Sequence, residues 1–333
     1  MADRAGRGRG SERRRENALL LAASRCPDAP PQATPENAEY DWRYLLAAAE
    51  QQGVSALLRQ SLTGVGAVVP PDWARAALDA AYWGQHFRNR LLLDELATLL
   101  ARAASAGVPV IPLKGAALVH RYYPAAALRP MSDIDLLIRP DDTERMAGLL
   151  TACGYLLVTR QTASDGAPER EYAFVAHRAE GAALVEYRSE PLDPMTGFPG
   201  GLDSVLTARL RVHAARMWER GETGEYAGAP VMQIAPEDLL LHVTSHLATR
   251  HAGFRLLWLH DVCRILVAHS TDFDWRYFWE EAALLNLTVP VEAALTAAHR
   301  WLDAPLPPSG GGLQPATARF GRLNPPRGHP RHQ

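Results

Sequence analysis

The stretch Arg129-Pro130-Met131-Ser132-Asp133-Ile134-Asp135-Leu136-Leu137-Ile138 decides the reading of this chain. Two carboxylates stand two residues apart at the start of an apolar run. In a strand, side chains at i and i+2 leave the same face, so Asp133 and Asp135 point together while Ile134 turns to a core. Paired carboxylates repel unless a cation lies between them. Oxygen ligands at this spacing suit Mg2+, which keeps waters and takes substrate phosphates as further ligands. Two solvated aspartates at a turn would give the same D-x-D pattern, so the neighbouring residues have to distinguish these readings.

Upstream, the run VPVIPL (108–113) is β-type and follows Gly107; LKGAALVHRYYP then reads as a helix starting near Gly115 and closed by Pro124. Lys114 and Gly115 thus fall at a strand end and a helix N-terminus, where unpaired backbone N–H groups and the helix dipole favour an anion. The chain holds 34 arginines and Lys114 as its one lysine. A compact ammonium on a flexible stem differs from a planar guanidinium, so Lys114 is either a position where arginine does not serve or a chance survivor in an arginine-rich composition. Arg129, four residues before Asp133, and Ser132 are placed to assist with phosphate. Downstream β-type runs at 154–158, 172–176 and 183–187 complete a small mixed sheet, and Asp141 or Asp142 is the expected N-cap of a helix running to Leu150. In ALVEY (183–187), Glu186 interrupts an apolar run and is the candidate third carboxylate, as metal ligand or as base; Glu190 and Asp193 are the alternatives.

Helical periodicity covers 41–107, broken at Pro70-Pro71, and returns over 236–249, 256–268, 274–285 and 290–302. Helices, a small mixed sheet and more helices give the α+β class. The expected organisation is a basic tail at 1–16, an N-terminal helical region at 17–107, a core at 108–234, a C-terminal helical region at 235–303 and a Pro/Gly-rich tail at 304–333, both tails being disordered.

Composition narrows the partners. With 35 basic and 37 acidic side chains the formal charge is −2, which argues against binding long nucleic acid or anionic membrane by bulk charge. Cys26, Cys153 and Cys263 are scattered and form no metal or disulfide pattern, which fits a reducing cytoplasm. Neither a signal peptide nor an apolar run of membrane-spanning length is read. His242 and His246 lie one helical turn apart, with His251 and His260-Asp261 downstream, but H-x-x-x-H lacks the intervening glutamate of the protease signature. They are read as packing, capping or acceptor contacts, and Trp275, Phe278 and Trp279 as a buried helix face.

The pattern V-I-P-L-K-G-A-A-L, Y-Y-P and L-R-P-M-S-D-I-D-L-L-I resembles the uncharacterised nucleotidyltransferase family, a branch of the polymerase-beta-like superfamily, from about Trp42 to Pro305. P-E-D-L-L-L-H-V-T-S-H, W-L-H-D-V and D-W extend the likeness. It implies a small mixed sheet with flanking helices, Mg2+, and transfer of a nucleoside monophosphate from an NTP to an acceptor with release of pyrophosphate. On this resemblance Asp133, Asp135 and Glu186 hold metal or act in catalysis, while Lys114, Gly115, Arg129 and Ser132 engage the nucleotide. His242, His246, Trp258 and Asp261 serve structure or the acceptor site. Two departures stand out: Lys114-Gly115 stands where the wider superfamily usually has Gly-Ser, and Glu186 is followed by Tyr187-Arg188 where the family commonly has an aspartate, a hydrophobic residue and then His-Trp. The acceptor is open among a small molecule, a sugar, a peptide, a protein hydroxyl and tRNA. The alternative is a catalytically weak NTP-binding regulatory protein on the same fold.

Overall fold

The computed structural model describes residues 15–26, 39–63, 68–161, 171–178, 181–189, 204–250 and 255–306. Most of both expected tails lies outside these residues, as do Glu190, Asp193 and His251. The architecture is α+β.

Helix α1 (15–23) buries Leu19 and Leu20, and its Glu16 Oε1 accepts the Asp41 N–H at 2.8 Å. Helix α2 (Trp42–Gln52) is capped by the Asp41 carboxylate, which accepts from the Tyr44 N–H. It ends on Gly53 at φ 72°, where a Cβ would meet Leu257 at 3.1 Å. After α3 (Ser55–Ser61) and the Pro70-Pro71 break comes α4 (Asp72–Ser105), 34 residues long. At 1.5 Å per residue it runs roughly 50 Å. That length lets it serve two cores: Leu78 packs with the helical regions, and Leu92, Leu96, Leu99, Leu100 and Ala103 pack beneath the sheet.

The sheet has five strands: β1 (Val110–Pro112), β2 (Ile134–Ile138), β3 (Leu156–Gln161), β4 (Glu171–Arg178) and β5 (Gly181–Arg188). Their order is β1-β2-β5-β4-β3, with β2 and β5 parallel and the other neighbours antiparallel. All five residues of β2 are buried because both faces are covered. Ile134, Leu136 and Ile138 join Val185 and Tyr187 in one core, while Leu137 faces the other with Ile111 and Leu113. The period of two therefore sends Asp135 and Glu186 to the face opposite Ile134 and Val185.

Helix α5 (Lys114–Tyr122) follows β1, and α6 (Thr143–Ala152) follows β2. Asp142 takes the N-cap position of α6, but its carboxylate pairs with Arg145 at 2.6 Å and makes no side-chain cap bond. The stretch 204–233, which carries no assigned pattern in the sequence reading, forms α7 (Ser204–Arg220) and a hairpin of β6 (Glu222–Tyr226) and β7 (Ala229–Gln233). The hairpin turns through Ala227 and Gly228, both at positive φ. Helices α8 (Pro236–Arg250), α9 (Leu256–Ala268), α10 (Trp275–Leu284) and α11 (Thr288–Leu302) close the chain. Phe278 is fully buried, with Trp275 and Trp279 packed against the same core. No helix among the described residues is long and apolar enough to cross a membrane.

Candidate active site

Parallel pairing of β2 with β5 sets Asp135 directly beside Glu186. Asp133, two residues before Asp135, adds a third carboxylate, and one ligand atom from each of the three lies within 4.8 Å of the others. Among the described residues this is the one group of three or more His, Cys, Asp or Glu side chains able to share a metal. The oxygen-only donor set fits a hard divalent cation such as Mg2+. Asp135 is buried, whereas the Glu186 side chain keeps a quarter of its surface exposed. Burial and the neighbouring Asp135 charge raise the pKa of Asp133, opposed by Lys114, the Ser132 hydroxyl and Arg129. A cation placed between the two carboxylates would relieve that repulsion.

The turn from β1 into α5 supplies the positive charge. Lys114 opens the helix at φ 43°, in the left-handed region that a non-glycine residue adopts at a cost of order 1–3 kcal/mol. Its Nζ donates to Asp135 Oδ1 at 2.7 Å. Gly115 is needed for space: a Cβ there would sit 2.7 Å from Arg129 Nη1 and 2.8 Å from Met131 Cγ. The Lys-Gly pair thus lets the loop before β2 lie directly against the start of α5.

That loop is anchored from two sides. Arg129 forks onto Asp261 of α9, with Nη2 at 3.0 Å from Oδ2 and Nε at 3.3 Å from Oδ1. Tyr123 donates to the same carboxylate at 2.6 Å. Burial works against the Arg129 charge, yet Asp261 holds its pKa above the ordinary guanidinium value. Burial and the same carboxylate push Tyr123 well above the usual phenol range. From α4, Asn89 is fully buried; its amide donates to Ala126 O at 2.5 Å and Arg129 O at 2.8 Å, while its Oδ1 accepts the Met131 N–H at 3.1 Å. Ser132 Oγ lies 3.2 Å from Asp133 Oδ1. The sequence gives no sign of Asn89 and assigns no site role to Arg188, which it marks only as a departure from the family pattern. A lone asparagine in a helix pattern carries no signal for loop contacts 37 to 42 residues away. Arg188 had one available signal, since it stands two residues beyond Glu186 and so shares its face.

These groups line a cavity of about 780 Å³, within the range of small-molecule sites. Lys114, Gly115, Arg129, Ser132, Asp133, Asp135, Glu186 and Arg188 all contribute to its wall. Opposite them stand Glu50 of α2, Gln85 and Arg88 of α4, His246 of α8, and Arg255 and Trp258 beside and on α9. His246 and Trp258 meet edge to face at 6.1 Å, and Arg255 ties this wall to α2 by donating to Gln51 O from Nε at 2.9 Å and from Nη2 at 2.7 Å. His242 is buried in α8, and His260 Nδ1 lies 2.8 Å from Ser24 O; both are apart from the carboxylate group.

The model of the uncharacterised nucleotidyltransferase family matches residues 38–303. The chain belongs to this family. In this nucleotidyltransferase the acidic triad and Lys114 meet on the wall of one cavity. No curated protein matches it in sequence. Among solved structures it is similar to an antigenic nucleotidyltransferase-like protein from Paracoccidioides brasiliensis, at 16% identity and TM-score 0.38, over 63% of this chain and 92% of that one. It is also similar to the antibiotic-resistance factor ANT(2'')-Ia, at 14% identity and TM-score 0.38, over 64% of this chain and 98% of that one. Likenesses this distant lend neither protein's substrate to the present chain.

Proposed function

We propose that the chain is a Mg2+-dependent nucleotidyltransferase that moves a nucleoside monophosphate from an NTP to an acceptor hydroxyl, releasing pyrophosphate. The observation that carries this reading is the meeting of Asp133, Asp135 and Glu186 within 4.8 Å on the wall of a cavity. Asp133 and Asp135 would hold the metal, and Glu186, with a quarter of its side chain exposed, would complete the ligand set or take the acceptor's proton. A divalent cation held there supplies charge neutralisation for the triphosphate and the departing pyrophosphate. Lys114 and the α5 N-terminus attract the phosphates, and Gly115 allows close approach. Ser132 and Arg129 shape the same wall, Arg129 chiefly through its fork onto Asp261.

In this reading the acceptor hydroxyl attacks the α-phosphorus, the bond from that phosphorus to the β-phosphate oxygen breaks, and the hydroxyl proton passes to a carboxylate. Little covalent chemistry is asked of the protein, so positioning and charge dominate. Residues 108–234 act as the catalytic core, with the helical regions at 17–107 and 235–303 supplying the acceptor wall. Glu50, Gln85, His246 and Trp258 on that wall suit a polar acceptor with a ring or apolar face, such as a small molecule, a sugar or a peptide. Cys26, Cys153 and Cys263, which are joined in no disulfide among the described residues, accord with work in the cytoplasm. The test is calorimetric titration of each NTP with and without Mg2+ into the wild-type chain and an Asp133→Asn/Asp135→Asn variant. Mg2+-dependent binding of a nucleotide, lost in the variant, is expected; undiminished binding in the variant would sink the metal assignment.

A further inference from the structure

Resting on that reading, we propose that Lys114 and Arg188 are movable counter-ions of the acidic triad. In the nucleotide-free protein they hold the electrostatic place of a divalent cation. They pass to the nucleotide's phosphates when the cation arrives, so that metal and nucleotide load together.

Arg188 ends β5 on the face of Glu186, and its guanidinium is buried. Its Nη2 lies 3.9 Å from Asp135 Oδ1 and 3.9 Å from Glu186 Oε2. Lys114 Nζ sits on the same Asp135 oxygen at 2.7 Å. A single carboxylate oxygen therefore faces two cations, both from side chains that line the cavity. A hard divalent ion bound to that oxygen at about 2.1 Å would bring two positive charges into the same contact shell. Like-charge repulsion then drives the ammonium and guanidinium outward. The cavity is where they have room, and a triphosphate there is what would receive them.

Charge balance gives the order of loading. Lys114 and Arg188 offset part of the triad's negative charge, which weakens its attraction for a bare divalent ion. A metal–triphosphate complex brings the metal for the carboxylates and the anion for the displaced cations in one step. Arg129 does not take part in this exchange, because its fork is committed to the buried Asp261.

The test uses Mn2+ as a spectroscopic stand-in and inorganic tripolyphosphate as the phosphate probe. Binding of Mn2+ alone, followed by the loss of its free-ion electron paramagnetic resonance signal, is expected to tighten about tenfold in Arg188→Gln, because a repelling unit charge has been removed. Binding of Mn2+ with tripolyphosphate is expected to weaken by about the same factor, with the charge-assisted phosphate contact gone. Lys114→Gln should move both affinities in the same directions, and Arg188→Lys should restore both toward wild type. A merely structural Arg188 would not tighten the bare metal. Thermal melts identify any variant that fails to fold, in which case Lys114→Gln and Arg188→Lys decide. If the wild type binds Mn2+ with tripolyphosphate but neither neutral variant tightens Mn2+ alone, the counter-ion role is overturned and the metal assignment stands. If the wild type binds Mn2+ in neither form, the metal assignment falls and takes this inference with it.

Discussion

Glu281 on α10 and Asp133 before β2 both carry a charge that burial disfavours, yet their pKa values move in opposite directions. Glu281 is fully buried, but His213 Nδ1 lies 2.6 Å from one oxygen and Arg216 donates to the other. Burial pushes its pKa up and the two partners outweigh that, so the net shift is downward. At Asp133 burial acts with the charge of Asp135, and Lys114, Ser132 and Arg129 recover only part of the loss. One carboxylate is arranged to join helices α7 and α10. The other is arranged beside its own kind in a cavity, where Lys114 offsets part of the repulsion and an added cation would offset more. Charge placement thus separates a carboxylate satisfied by partners within the fold from one held beside other carboxylates.

The sharpest way to break this comparison is to neutralise one member of each group. Asp133→Asn is expected to lower turnover with Mg2+ and nucleotide on the order of 10²–10³-fold, the scale of losing one preorganised charge-stabilising contact. Its melting temperature should stay at or above wild type, because a disfavoured charge has been removed. A variant that melts much earlier would show that Asp133 belongs with the structural charges. Glu281→Gln should do the reverse. It leaves the buried His213 and the half-exposed Arg216 without their carboxylate partner, at a cost of about 2 kcal/mol in denaturant unfolding, while turnover per folded molecule holds. Equal stability of that variant and wild type would erase the distinction.

A smaller effect is expected between the two groups, at Asn89. Asn89→Ala leaves two buried carbonyls and one N–H of the loop at 126–131 without this side chain, costing about 2 kcal/mol. Because that loop carries Arg129 to Met131 into the site, turnover should fall along with stability. An undiminished kcat in the folded fraction would limit Asn89 to a structural role.

The local elements of this molecule were legible and its long-range partners were not. Strand, tight turn and helix around Lys114-Gly115, the strand at 134–138 and the four C-terminal helices follow from apolar period and from proline and glycine punctuation. The meeting of Asp135 with Glu186 depends on a parallel register between strands 51 residues apart in number, which periodicity does not specify. Arg129 was read as a phosphate contact from its nearness to Asp133 in sequence. Its guanidinium fork lies on Asp261, 132 residues away. The segment 204–233 hid for a different reason. Strand β6 reads ETGEY with mostly exposed positions, and its turn uses Ala227-Gly228 in place of the Asn-Gly or Asp-Gly pair that announces a hairpin. The β6–β7 pairing and packing against the core hold Tyr226, Ala229 and Val231 in place.

The pH dependence of stability offers the finest discrimination. Glu281 has a folded pKa below its ordinary value, so in acid the folded state releases its proton more readily than the unfolded state. Its contribution is therefore fully present above the ordinary carboxylate range and is lost as pH falls through the lowered folded value. Glu281→Gln removes that contribution at every pH. The stability gap between wild type and this variant should then be widest near neutrality and narrow steadily as the medium becomes more acid than the ordinary glutamate pKa. Urea unfolding of both proteins across that interval measures the gap directly. A gap that stays constant into acid would mean that the Gln variant fails through packing, and that the charge of Glu281 beside His213 and Arg216 contributes little to joining α7 and α10.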